Sequence, residues 1–123
     1  MQWVAVRNDS RAGVLLGNRI GLANNVWTRL RGLLGHPPLT AGEGLLLDPC
    51  KAVHMFGMKQ ALDIAFLSGA GEVVALYPDL KPGQKSSFHR DARQALELPV
   101  GTLSQTDTQI GDHLTVETVE RPA

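Results

Sequence analysis

The sequence predicts a mainly β chain with one helix, an α+β fold arranged as a compact antiparallel β-sandwich or barrel-like single domain over residues 1–123. Three observations lead there. Thirteen Gly and seven Pro punctuate 123 residues, so the elements between them must be short. Those elements are mostly brief apolar runs that alternate in the strand period, and a single segment repeats in the helical period. The strand–helix alternation that builds a parallel sheet is missing.

Taken in order, Trp3 to Val6 reads as a first strand, and Val14-Leu15-Leu16, Gly17-Asn18 and Ile20 to Ala23 read as a tight hairpin. The helix follows. Asn24 or Asn25 can cap it, and Val26, Trp27, Leu30, Leu33 and Leu34 form its apolar stripe. Gly35 sits where a helix C-terminus favours a left-handed residue, and His36-Pro37-Pro38 prevents continuation. Leu45-Leu46-Leu47 is a short buried strand, with Val53 to Met58 as a second candidate. Leu62, Ile64 and Phe66 alternate on a strand, Ser68 to Gly71 turns the chain, and Val73 to Tyr77 returns until Pro78 stops it. Asp79 to Arg90 is polar and reads as a surface loop around Pro82-Gly83. Ala95 to Leu98, a helical turn from Pro99 to about Gln105 and a last strand from His113 to Thr118 complete the domain.

Twelve basic and twelve acidic side chains cancel, which argues against a domain that grips nucleic acid over a wide area. The balance is uneven along the chain, however. Residues 1–42 carry net +4, residues 43–93 are neutral and residues 94–123 carry net −4. The two ends are therefore expected to meet, with Arg7, Arg19 and Arg29 near Glu97, Asp112 and Glu117. The start, MQWVAVRNDSR, lacks the apolar stretch of a secretory signal, and no apolar run is long enough to span a membrane. The lone Cys50 can form no disulfide within the chain. A cytoplasmic protein is the expectation.

Chemistry concentrates between Asp48 and Lys59. Cys50, His54, Met55 and Met58 place a thiol, an imidazole and two thioethers close together. Cys50, His54 and Met58 form a soft set suited to copper, or to zinc with further ligands. Cys50 and His54 could equally be a nucleophile and its base. Both ideas need the chain between them not to be extended, because an extended strand holds residues four apart at about 13 Å. The plainer reading makes Cys50, Met55 and Met58 core packing and His54 a hydrogen-bonded residue at a strand end. Asp63 interrupts the run between Leu62 and Ile64, and alternation turns it toward solvent or toward a cleft shared with Lys59. No Walker A, G-x-G-x-x-G, G-x-S-x-G, H-E-x-x-H or C-x-x-C motif occurs. Nucleotide hydrolysis and dinucleotide redox chemistry find no support.

Arg29-Leu30-Arg31-Gly32-Leu33-Leu34-Gly35, Glu43 to Leu47, Cys50-x-x-x-His54, Met58-Lys59 and Leu62 to Leu67 together resemble a bacterial and archaeal family. It is the uncharacterised domain-of-unknown-function family 192. The resemblance continues through Gly71 to Val74, Leu96-Glu97-Leu98-Pro99-x-Gly101 and Ile110-Gly111-Asp112, covering about residues 10–118. It implies a compact, mostly β domain and says little of function. Gly57 stands where many members carry a large aromatic, which predicts a wider pocket, and the export or lipoprotein signal of many members is missing. The expected function is a non-enzymatic binding or accessory domain using Cys50, His54, Met58, Lys59 and Asp63. Its partner would be a small molecule or a protein. The alternatives are soft-metal binding through Cys50, His54 and Met58, and catalysis by Cys50.

Overall fold

The computed structural model describes residues 2–24 and 38–120. Strand β1 (Gln2–Asn8) leads through a 3-10 turn (Asp9–Arg11) into β2 (Val14–Ala23). There follow β3 (Glu43–Leu47), β4 (Leu62–Leu67), β5 (Val73–Leu80), β6 (Gln94–Pro99), the short helix α1 (Thr102–Gln105) and β7 (Leu114–Val119). These strands form one sheet in the order β5-β4-β6-β3-β2-β1-β7. The mainly β, α+β class expected from the sequence is what the chain adopts. The helix expected over residues 26–35 lies outside the described residues.

Neighbouring strands are antiparallel except β2 and β3, which run parallel. A parallel pair needs a long connection, and residues 24–42 supply its length. The sheet also curls. Backbone bonds from Val73 N to Asp112 O (2.8 Å), from Gly111 N to Val73 O (2.8 Å) and from Leu114 N to Gly71 O (2.9 Å) join its two edges at one end. That partial closure gives the barrel-like form.

Three local expectations are corrected. Gly17-Asn18 is not a hairpin turn, because β2 is one continuous strand and the register with β1 slips between Val4↔Ile20 and Val6↔Gly17. Gly-Asn is a turn signal and also a bulge signal. Here the amides of Asn18 and Arg19 share the carbonyl of Gly42, at 3.1 and 2.9 Å, and a Cβ on Gly17 would lie 2.9 Å from that oxygen. Pro78 does not stop β5, which continues to Leu80. The strand lies at the sheet edge, where a proline removes no ladder bond, and Pro78-Asp79 bulge opposite Asp63. Val53 to Met58 is not a strand of the sheet. It contributes one bridge, His54↔Lys85, to a two-stranded strap in which Met55 N bonds Gln84 O (2.7 Å) and Ser86 N bonds Val53 O (2.9 Å).

Both faces of the sheet are apolar, which is why every residue of β4 is buried. The inner face gathers Val6, Ile20, Leu46, Leu67, Leu96 and Leu98. The outer face gathers Leu45, Leu47, Leu62, Ile64, Phe66 and Ala95, with Val53 and Met55 of the strap packed onto it. Close approach of β3 to its neighbours depends on Gly44, where a Cβ would meet the Glu97 carbonyl at 2.7 Å and Leu98 Cδ2 at 3.1 Å. A ladder oxygen cannot retreat without breaking the sheet. Gly44→Ala should therefore lower stability by about 2–3 kcal/mol, read as an earlier urea midpoint at unchanged slope.

The charged ends do meet, with Asp112 taking part as expected but with Arg11 as its basic partner; Arg29 lies outside the described residues. β1 pairs with β7 from Trp3↔Val119 to Asn8↔Leu114. The ionic contact is Arg11, whose Nε lies 3.0 Å from Asp112 Oδ2, while Arg7 bonds the Gly13 carbonyl and Glu117 lies opposite Ala5. Asn8 is fully buried and donates from Nδ2 to Asp112 Oδ2 (3.0 Å) and to Thr108 Oγ1 (3.2 Å). Burial alone would raise the Asp112 carboxyl. Hydrogen bonds from Asn8, Arg11 and the Gln109 amide, with the charge of Arg11, outweigh it and hold the group below the usual carboxylate range.

Candidate functional site

The five residues singled out in the sequence do not form one cleft. Cys50 is half-buried against the outer cluster, with its amide bonded to Arg93 O (2.8 Å) and its thiol directed at Ala52 O (3.1 Å). Met58 joins the same cluster. His54 faces the other way, because Val53 and Met55 point inward on the extended strap; its ring is exposed and lies tilted against Phe56 at 5.0 Å between centroids. Lys59 is exposed. The strap thus separates the thiol from the imidazole that a shared metal or a nucleophile pair would require. Gly57 is exposed and turns the strap with φ +78°, so its missing side chain opens no interior space and the expected wider pocket does not follow.

Asp63 is corrected most sharply. Alternation does turn it away from Leu62, Ile64 and Phe66, but the opposite face is the closed interior and the residue is 1% exposed. Its Oδ1 accepts from Asp79 N (2.9 Å), and Oδ2 accepts from Gly101 N (3.1 Å) and Leu103 N (2.9 Å). Asp63 fixes the β5 bulge and the start of α1. It is a structural anchor and no pocket carboxylate.

The sequence reading missed three side chains. Tyr77, Ile64, Glu97 and Leu45 lie in one register row across β5, β4, β6 and β3, on the outer face. Adjacent strands are about 4.8 Å apart, which sets the Tyr77 and Glu97 backbones roughly 10 Å from each other. Tyr77 Oη lies 2.6 Å from His89 Nε2, and the His89 ring tilts over Phe66 at 4.7 Å. Glu97 is 7% exposed among apolar neighbours, and no described residue bonds its carboxyl. Burial pushes that carboxyl up to about 7. Arg19 Nε is the sole side-chain polar atom, among the described residues, both sealed from solvent and unpartnered. The Glu97 oxygens therefore keep a trace of solvent access. A signal was available, since a lone acid inside Ala95-Leu96-Glu97-Leu98 is as anomalous as Asp63 inside its own strand.

Over residues 7–116 the sequence matches the profile of DUF192, a family described as "Uncharacterized ACR". The chain belongs to the DUF192 family. A similar relative, the "UPF0127 protein" of Thermococcus sibiricus, is 31% identical over 120 residues, covering 92% of this chain and 75% of that protein. Two solved structures share the fold. A protein of unknown function from Novosphingobium aromaticivorans superposes with a TM-score of 0.76 at 21% identity, over 91% of this chain and 82% of that one. A putative transcription regulator from Sinorhizobium meliloti gives 0.76 at 22% identity, over 94% and 92%.

In this DUF192 chain Cys50, Met58, Tyr77, His89 and Glu97 all lie on the outer face of the sheet. Among the described residues no three His, Cys, Asp or Glu side chains come together as a metal-binding group. Cys50 and Met58 pack against the outer cluster, whereas the exposed His54 ring contacts Phe56. No described helix is long and apolar enough to cross a membrane.

Proposed function

We propose that this DUF192 chain is a non-enzymatic binding domain whose ligand site lies on the outer sheet face around Glu97. The group received there is a cationic nitrogen carried on an apolar body. One observation carries the reading: Glu97 is a carboxyl more than nine-tenths buried, on an apolar face, with no partner among the described residues. An unpaired buried polar group costs a fold about 1–3 kcal/mol. Nothing in the packing of Leu45, Ile64 and Ala95 needs an acid there, so the cost points to use. A cation placed beside the carboxyl would favour its ionised form, and the apolar neighbours would hold the rest of the ligand.

The only cysteine in the sequence can form no disulfide within the chain, and we place the protein in the cytoplasm, with a small molecule or another protein as partner. Benzamidine added to the isotope-labelled chain is expected to shift the amides of Leu45, Ile64 and residues 95–98 saturably at about pH 8. The shifts should vanish in Glu97→Gln and weaken in acid as the carboxyl is protonated. Saturable shifts elsewhere, or shifts indifferent to Glu97→Gln, would remove the outer face from consideration.

A further inference from the structure

We infer that the outward surface of the strap is a docking site for an acidic polypeptide segment bearing apolar side chains. This surface is separate from the Glu97 site, since it faces solvent on the other side of the strap. Residues 51–59 and 81–90 hold five of the twelve Lys and Arg and no acidic residue. The neutral total conceals this, because the rest of the sequence then carries a net −5. Two of the five cations are committed: Lys51 Nζ bonds the carbonyls of Arg90 (2.7 Å) and Ala92 (2.6 Å), and Lys81 pairs with Asp79 (2.7 Å). Lys59, Lys85 and Arg90 are exposed and take part in no ion pair among the described residues.

Aromatic surface accompanies this charge. Phe56 is 57% exposed and Phe88 is 70% exposed, and both lie on the strap. His54 sits across from Lys85 in the bridge, and its ring contacts that of Phe56 at 5.0 Å between centroids, tilted by 32°. Exposed aromatics together with cations outside any ion pair are the composition of an interaction surface, in which the rings anchor and the charges select and steer. The choice of partner follows from what the surface offers together: three cations outside any ion pair among the described residues and two exposed phenylalanines complement a segment that carries carboxylates and apolar side chains side by side.

The test is fluorescence anisotropy on the full chain with two probes of equal length, a labelled peptide alternating Glu and Leu and an oligothymidylate. The peptide is expected to bind more tightly, and raised salt should weaken it. Reversing Lys59, Lys85 and Arg90 together to Glu should weaken peptide binding on the order of tenfold, as expected for three exposed pairs. Phe56→Ala should weaken it about fivefold. All four positions are exposed, and circular dichroism will verify that the variants fold. Peptide binding that ignores the charge reversal overturns the inference, as does the lack of binding at low salt. Tighter oligothymidylate binding, with a log–log salt slope of about −2 for three phosphates, overturns it in favour of single-stranded nucleic acid. Glu97→Gln should leave peptide binding unchanged, so this result and the benzamidine result fail or stand separately.

Discussion

Asp63→Ala should cost the fold about 4 kcal/mol, the largest loss expected from any single polar substitution described for this chain. The side chain is 1% exposed and accepts three backbone N–H bonds, from Asp79, Gly101 and Leu103. Removing the acceptor strands these donors, each at about 1–3 kcal/mol when water cannot replace it. Leu103 is itself 4% exposed and belongs to the inner cluster, so the first turn of α1 has little access to solvent. Asp63→Asn keeps one oxygen, which can serve either the bulge amide or the pair at α1, and should lose about half as much. Urea unfolding gives both values, and hydrogen exchange at Gly101 and Leu103 should accelerate in step. A loss below about 1 kcal/mol for Asp63→Ala would mean that α1 finds other partners and that Asp63 is no anchor.

That Asp63 reads as a solvent-facing or cleft residue in the sequence and as an interior cap in the structure shows where sequence reasoning ends. Alternation assigned its face correctly. It could not report that both faces of β4 are covered, because that depends on the curl of the sheet and on the strap, which are contacts between distant segments. The same limit explains Gly17-Asn18, where turn and bulge share a signature and the deciding neighbour is Gly42, far along the chain. What was legible was local: short strands between Gly and Pro, the returning pair of strands up to Tyr77 though not its continuation past Pro78, and the helical turn before Thr106. The meeting of the ends was legible from charge, and Asp112 with it, but its basic partner was not. Arg11 reaches Asp112 because β1 and β7 are neighbours in the sheet, a fact of topology that no composition carries.

The candidate site was half legible for a related reason. Residue chemistry drew attention to Cys50, His54 and Met58, and the strap then put the first and last on one side and His54 on the other. Sequence proximity overstated their kinship. Tyr77, His89 and Glu97 are far apart in sequence and had no motif to join them; cross-strand register and the packing of His89 on Phe66 do so. A site made on a sheet face by successive strands leaves only single anomalies in the sequence, such as one acid in an apolar run.

Glu97→Gln should make the protein more stable, and increasingly so as pH rises. Burial raises the folded carboxyl from 4.5 to about 7. Between these values the folded chain holds a proton that the unfolded chain has released, so Glu97 makes stability fall with rising pH across that window, by about 3 kcal/mol in full. Below the unfolded value both states are protonated and the penalty disappears; above about 7 it is complete. Asp112 works in the opposite sense and in a lower window, since its depressed carboxyl contributes stability that is lost only as acid protonates it. Subtracting the Gln variant from the parent cancels Asp112 and the histidines and leaves Glu97 alone. Urea unfolding at several pH values should show curves that nearly coincide in mild acid and separate toward neutrality, with Gln ahead. A parent whose stability relative to Gln stays flat would show that the carboxyl has found a partner. A widening gap would instead establish that this DUF192 chain keeps, at the centre of its outer face, an acid that its own fold would be more stable without.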